Sequence, residues 1–215
     1  MKKPNIIVVG KSGSGKSTAL RNLNPKETAI LNVEQKQLPF QSAKLFKGQK
    51  MISNLADFDS ELKKALNTEA VKVIVIESFT SLCELIMIKS KSINTGWDIR
   101  SWFNEKVFKY VLDTKNTEKY IIFTGIDEAI SDENGAKFFQ LKVSGQELKG
   151  IEKEFVITLF TVPRVNEKGE VEYEFVTKGD IMRSAKSPMG MLPQRMGNDL
   201  MEVIKLSEEY YKGEE

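Results

Sequence analysis

The chain has 215 residues, 40% of them hydrophobic and 29% charged, the balance of a globular chain with enough apolar material for a core. With 32 Lys and Arg against 30 Asp and Glu the formal charge is +2, so any basic surface for nucleic acid has to be local. The lone cysteine, Cys83, and the absence of histidine exclude an internal disulfide framework, multi-cysteine metal sites and imidazole acid–base chemistry.

In chain order, NIIVV at 5–9 is a short β-branched run ending at Gly10, the pattern of a buried parallel strand. A helix is expected to start inside the glycine loop and run to about Asn22, before Asn24-Pro25 stops it. TAILNVE (28–34) reads as a second strand. Leu55, Phe58, Leu62, Ala65 and Leu66 have the spacing of an amphipathic helix over 54–66. VKVIVIES (71–78) is the strongest strand signal, followed by a helix at 81–90 that carries Cys83 as inert core. A further helix covers 97–113, and KYIIFTGI (119–126) is a strand.

Residues 127–146 then turn polar and glycine-containing and read as a loop, with a short helix near 147–153 and a strand at 154–162. VNEKGEVEYEFV reads as a hairpin turning at Glu167-Lys168-Gly169. A Pro/Gly/Met-rich loop (183–198) leads to a last helix at 198–211. Strands that alternate with helices and end in an antiparallel pair predict an α/β fold with a mostly parallel sheet. One domain over 1–215 is expected, with a core at about 4–190 and a C-terminal helix and acidic tail at 198–215. No segment has the length of a signal-peptide core or a membrane helix, so a cytoplasmic protein without a membrane partner is expected.

GKSGSGKS at 10–17 satisfies the phosphate-binding pattern G-x-x-x-x-G-K-[ST] between a strand and a helix. Gly10, Gly13 and Gly15, with Ser12, Ser14 and Thr18, let backbone N–H groups converge on phosphate oxygens. Lys16 is expected to reach the β- and γ-phosphates of ATP, and the Ser17 hydroxyl to ligate Mg²⁺. Such a loop needs a second carboxylate at the end of a neighbouring strand, and IVIES supplies Glu77. Glu34 ends TAILNVE at the same sheet edge and is a candidate to orient and deprotonate water. Lysines interleaved with aromatics occur twice: Lys137, Phe138, Phe139 and Lys142, with Lys149 beyond, and Lys89, Lys91, Trp97 and Arg100. Both textures suit stacked bases and phosphates, and Lys137, Phe138, Lys142, Lys91 and Arg100 are the candidate DNA contacts.

The order P-loop strand, LNVE, IVIESFTSL, GWDIRSWF, IIFTG and LKVSGQELKG before VITLFTV resembles the RecA-like nucleotide-binding ATPases of bacteriophages, of the single-strand annealing and recombination type. The resemblance implies a RecA/KaiC-type core, ATP hydrolysis with Mg²⁺, single-stranded DNA binding, a homo-oligomeric ring or filament, and a host bacterial cytoplasm. It makes Glu77 the metal-side carboxylate and Glu34 the water-activating glutamate. RSAKSPMG (183–190) resembles the K-x-R-x-G finger that reaches a neighbouring subunit's γ-phosphate, with Lys186 at the lysine and Gly190 at the glycine. Pro188 stands where that finger has arginine, which leaves Lys186 alone or Arg183 or Arg195 as substitutes. The tail SEEYYKGEE is a candidate contact for a single-strand-binding protein. Two other readings stay open. A nucleotide kinase would need an arginine-rich lid, and this chain has five scattered arginines. A nucleotide-dependent switch with little hydrolysis agrees with Glu77 and Pro188.

Overall fold

The computed structural model describes residues 2–213 apart from 132 and 134. Six strands run parallel: β1 (Ile6–Gly10), β2 (Thr28–Asn32), β3 (Gln49–Met51), β4 (Val73–Glu77), β5 (Tyr120–Ser131) and β7 (Ile157–Val165). Between β5 and β7 lies β6 (Lys137–Leu141), antiparallel to the outer half of β5. The antiparallel strands β8 (Val171–Val176) and β9 (Arg195–Gly197) extend the other edge, so the order is β3-β2-β4-β5-β1-β7-β8-β9 with β6 on β5. This is the expected α/β architecture of a RecA-like P-loop fold.

The period-2 pattern of a strand sorts the core into two halves. In β1, Ile7 and Val9 face one side of the sheet, where α1 (Leu55–Asn67), α2 (Phe79–Ile93) and α3 (Asp98–Asp113) pack. Ile6 and Val8 face the other, covered by α4 (Leu200–Lys212), Leu38 and Phe46. On the three-helix side, Phe79, Phe123 and Phe155 meet edge to face with centroids 5.4–6.4 Å apart. Side-chain caps start three of the helices: Asn54 accepts from Asp57 N–H, Ser78 from Ser81 N–H and Asp199 from Met201 N–H. The Ser78 cap begins α2 directly after β4, earlier than apolar spacing alone suggests.

Three expectations are corrected. The helix expected from the glycine loop to Asn22 is a single 3-10 turn, Ser17–Leu20. Arg21 and Leu23 N–H groups close i→i+3 bonds, and the Arg21 guanidinium takes the Thr18 carbonyl, which a longer helix would leave to its own amides, together with the distant Asn198 carbonyl. The segment 127–146 is not an open loop: β5 continues to Ser131 and pairs with β6. The close approach is possible because Gly125 has no side chain, as a Cβ there would lie 2.3 Å from Leu141 Cδ1. The helix near 147–153 is two 3-10 turns, Gln146–Leu148 and Ile151–Glu154.

The phenylalanine trio is fully buried, so truncating one ring leaves a void in the core. Phe123→Ala is therefore expected to lower unfolding stability by about 3–5 kcal/mol, read from the urea midpoint at unchanged slope.

Candidate active site

Parallel pairing aligns the carboxyl ends of the strands, so the register itself gathers the site. Asn32 pairs with Glu77, and Gly10 with Ile126. A cavity of about 330 Å³ opens at this edge, lined by Ser12, Gly13, Gly15, Lys16, Ser17 and Thr18 on one side. Glu34, Lys36, Gln37, Pro39 and Tyr173 of β8 also line it.

Lys16 is 8% exposed, and its ammonium donates to the Gly10 carbonyl at 2.8 Å and the Lys11 carbonyl at 2.7 Å. Burial holds its pKa below the ordinary lysine value, while Glu77, Asp127 and Glu34 pull the other way. Ser17 Oγ donates to Glu77 Oε1 at 2.8 Å, joining the loop to the end of β4. Glu77 is 3% exposed, and burial raises its pKa against the Ser17 hydroxyl bond that lowers it. Its Oε2 and Thr124 Oγ1 are both buried and complete no hydrogen bond. Among the described residues no group of three or more His, Cys, Asp or Glu could hold a metal. The donor set here is instead a hydroxyl and a buried carboxylate with a spare oxygen, which suits Mg²⁺ that takes its remaining oxygens from phosphate and water.

Gly15 sits at φ +92, and a Cβ there would lie 2.7 Å from Tyr173 Cγ, so the ring rests directly on the phosphate loop. Thr161 of β7 donates its hydroxyl to the Ser14 carbonyl and bears on Ser14 Oγ at 2.9 Å. Because only one 3-10 turn follows the loop, a helix dipole adds little here; loop amides and the Lys16 ammonium carry the attraction for anions.

Glu34 is held by backbone bonds. The Val33 and Glu34 N–H groups both donate to the Glu77 carbonyl, the latter at 3.0 Å. Asn32, 1% exposed, accepts from Gln35 N–H at 2.9 Å and donates to the Lys36 carbonyl at 2.7 Å. Gln35 at φ +57 takes the left-handed conformation that this tight turn requires. Glu34 Oε1 is 2.8 Å from Lys36 Nζ.

The finger candidate Lys186 is elsewhere. It pairs with Thr158 near the start of β7, and its ammonium donates to the Lys153 carbonyl at 2.8 Å, so it does not reach the phosphate loop of its own chain. Arg195 pairs with Glu174. Arg183 pairs with Asp180 at 3.1 Å and lies over Phe139, whose ring Lys11 also covers at 5.1 Å. Of the DNA candidates, Arg100 joins Trp97, Gly145, Gln146, Glu147 and Lys149 around a groove of about 400 Å³. Trp97 is 89% exposed there. Lys137 and Lys142 are exposed and Phe138 half-buried on the β5–β6 hairpin, while Lys91 is exposed near the end of α2; none of these four lines the groove. Sequence reasoning missed Lys36 and Tyr173. Lys36 is two residues past Glu34 and could have been found by its place in the same turn; nothing local marks Tyr173.

Among solved structures, a KaiC-like protein of the hyperthermophilic archaeon Pyrococcus horikoshii OT3 is similar to this chain, with a TM-score of 0.51 at 12% identity, covering 87% of this chain and 84% of that chain. No protein-family model and no curated protein matches. Among the described residues no helix is long and apolar enough to cross a membrane.

Because burial raises Glu77, its ionisation works against the folded state as pH climbs above the ordinary glutamate value of 4.5 and has no such effect below it. Without nucleotide, Glu77→Gln is expected to melt higher than the parent at pH 7 and to lose that advantage toward pH 4, followed by thermal denaturation across the range.

Proposed function

We propose that the protein is an Mg²⁺-dependent ATPase that acts on single-stranded DNA in recombination or annealing and works as a homo-oligomeric ring or filament. The observation that carries the reading is that Lys16, Ser17 and Glu34 line one cavity, with Glu77 buried behind Ser17 and bonded to its hydroxyl, so that three separate strand ends meet there. The phosphate chain is placed along the loop with its terminal phosphate toward Glu34. The nucleoside then points to the other end of the cavity, where Thr18 and the Tyr173 ring offer a platform.

On binding, the Lys16 ammonium exchanges two carbonyls for β- and γ-phosphate oxygens and meets the charge that grows during phosphoryl transfer. Ser17 and Glu77 would hold Mg²⁺, which neutralises charge on the phosphate oxygens. Glu34, fixed through the Glu77 carbonyl, orients the attacking water and accepts its proton. Lys186 is assigned to the terminal phosphate of a neighbouring subunit, which its distance from its own loop supports. Among the described residues no arginine lines the cavity, which weighs against the paired phosphate clamps of a nucleotide kinase.

For DNA, the support is the groove in which exposed Trp97 stands beside Arg100 and Lys149, one ring for a base and two cations for phosphates. The exposed Lys137 and Lys142 on the hairpin, with Phe138 between them, and Lys91 are assigned to the same strand. The ordered resemblance to phage annealing ATPases supports a phage protein acting in a bacterial cytoplasm. A single-strand-binding protein is a candidate partner for the acidic tail, of which residues 214 and 215 lie outside the described ones.

Hydrolysis measured with and without single-stranded DNA, at two protein concentrations, tests the core of this. Turnover that rises with DNA and more than linearly with protein is expected, and Lys16→Ala should cut it by at least a hundredfold, several kcal/mol in barrier being about that much. If Lys16→Ala turned over normally the reading would fall. Mixing Lys16→Ala with Lys186→Ala should restore part of the activity that each lacks alone, since each supplies what the other is missing; no gain on mixing would remove the shared site. Trp97→Ala should weaken binding of a labelled oligonucleotide about tenfold, from roughly 1–3 kcal/mol per stacked base.

A further inference from the structure

The turn after β2 carries more charge than hydrolysis by Glu34 requires. Lys36 lines the same cavity as Lys16, with its ammonium 2.8 Å from Glu34 Oε1. Its backbone is pinned: the buried Asn32 side chain holds the Lys36 carbonyl and the Gln35 N–H, and Gln35 keeps its left-handed conformation between Glu34 and Lys36. A non-glycine residue at positive φ persists only where the surroundings over-determine it. The side chain of Lys36, in contrast, is 73% exposed on a flexible four-carbon stem, so its ammonium can leave Glu34 while the turn stays in place.

Lys36 also senses the rest of the site. Its bond and charge interaction with Glu34 raise its pKa, with a smaller contribution from Glu77, and its own charge helps to lower that of Lys16. Two ammonium groups that repel one another therefore face one cavity. A ligand carrying several negative charges relieves both at once.

We propose that Lys36 is the contact that selects a triphosphate: it leaves Glu34 for the terminal phosphate, and that exchange frees Glu34 to take a water. The proposal rests on the nucleotide reading above and adds to it a cation supplied in cis. An exposed carboxylate–ammonium pair is held weakly, whereas a terminal phosphate offers Lys36 more charge and more acceptor oxygens. A diphosphate offers no terminal phosphate for the exchange, so with it Lys36 stays on Glu34 and the base stays occupied. Hydrolysis would then return the pair to its resting state.

The test is calorimetric binding of MgADP and of a non-hydrolysable Mg-ATP analogue to the full chain, which does not depend on turnover. Lys36→Met is expected to lose about tenfold in affinity for the analogue, the loss of one charge-assisted hydrogen bond, with ADP affinity within twofold of the parent. Lys36→Arg, which keeps the charge, should keep most of the preference. Glu34→Gln should bind the analogue more tightly than the parent, because a neutral amide holds the Lys36 ammonium more weakly than a carboxylate does. An unchanged analogue-to-ADP ratio in Lys36→Met overturns the proposal, and so does an equal loss for both nucleotides. If the parent binds neither nucleotide, the nucleotide reading fails and this inference goes with it.

Discussion

One carbonyl oxygen organises the site. The Glu77 C=O, at the end of β4, receives the N–H groups of both Val33 and Glu34, so the chain leaving β2 is tied to the chain leaving β4 at the edge where β1 opens into the phosphate loop. The same residue's carboxyl receives the Ser17 hydroxyl. A single position thus joins three strand ends, with its backbone on one side and its side chain on the other. A parallel sheet makes this possible because all its carboxyl ends lie together.

Charge burial sets the character of the site. Lys16 and Glu77 are both enclosed, yet they do not pair with each other. Lys16 is satisfied by carbonyls and Glu77 by one hydroxyl, with an oxygen left over. Burial disfavours the charged form of each, pushing the lysine's pKa down and the glutamate's up. A buried charge left short of partners costs stability until a ligand completes it.

Much of the central sheet was legible because buried parallel strands announce themselves: IIVV, AIL and VIVI are apolar runs that alternate faces inside a double-sided core. Glu77 and Glu34 followed from the same logic, as the first charged residues past such runs. What was hidden has no periodic signature. β3 is three residues with largely exposed side chains, and the β5–β6 hairpin touches the core only at its base, through Phe139 and Leu141, so neither shows a sustained inside–outside alternation. The 3-10 turn after the loop was missed because Arg21 takes carbonyls at both ends of a long contact that sequence spacing does not contain. Trp97 was visible only as one aromatic among lysines; its meeting with Lys149 depends on how two distant segments fold back. Tyr173 reaches Gly15 only because β8 is folded against β7, a pairing about the whole sheet and not about either residue's neighbours.

The strand order also has a consequence in time. β1 pairs with β5 on one side and β7 on the other, so Ile6 finds its partners at Ile122 and Ile157. At a synthesis rate of about 5–20 residues per second, on the order of ten to thirty seconds pass between the appearance of β1 and that of its second neighbour. During that interval the glycine loop has been made but the wall carrying Thr161 and Tyr173 has not. A nascent chain therefore has no closed pocket with which to trap nucleotide, and one edge of the run IIVV stays open until β7 is made.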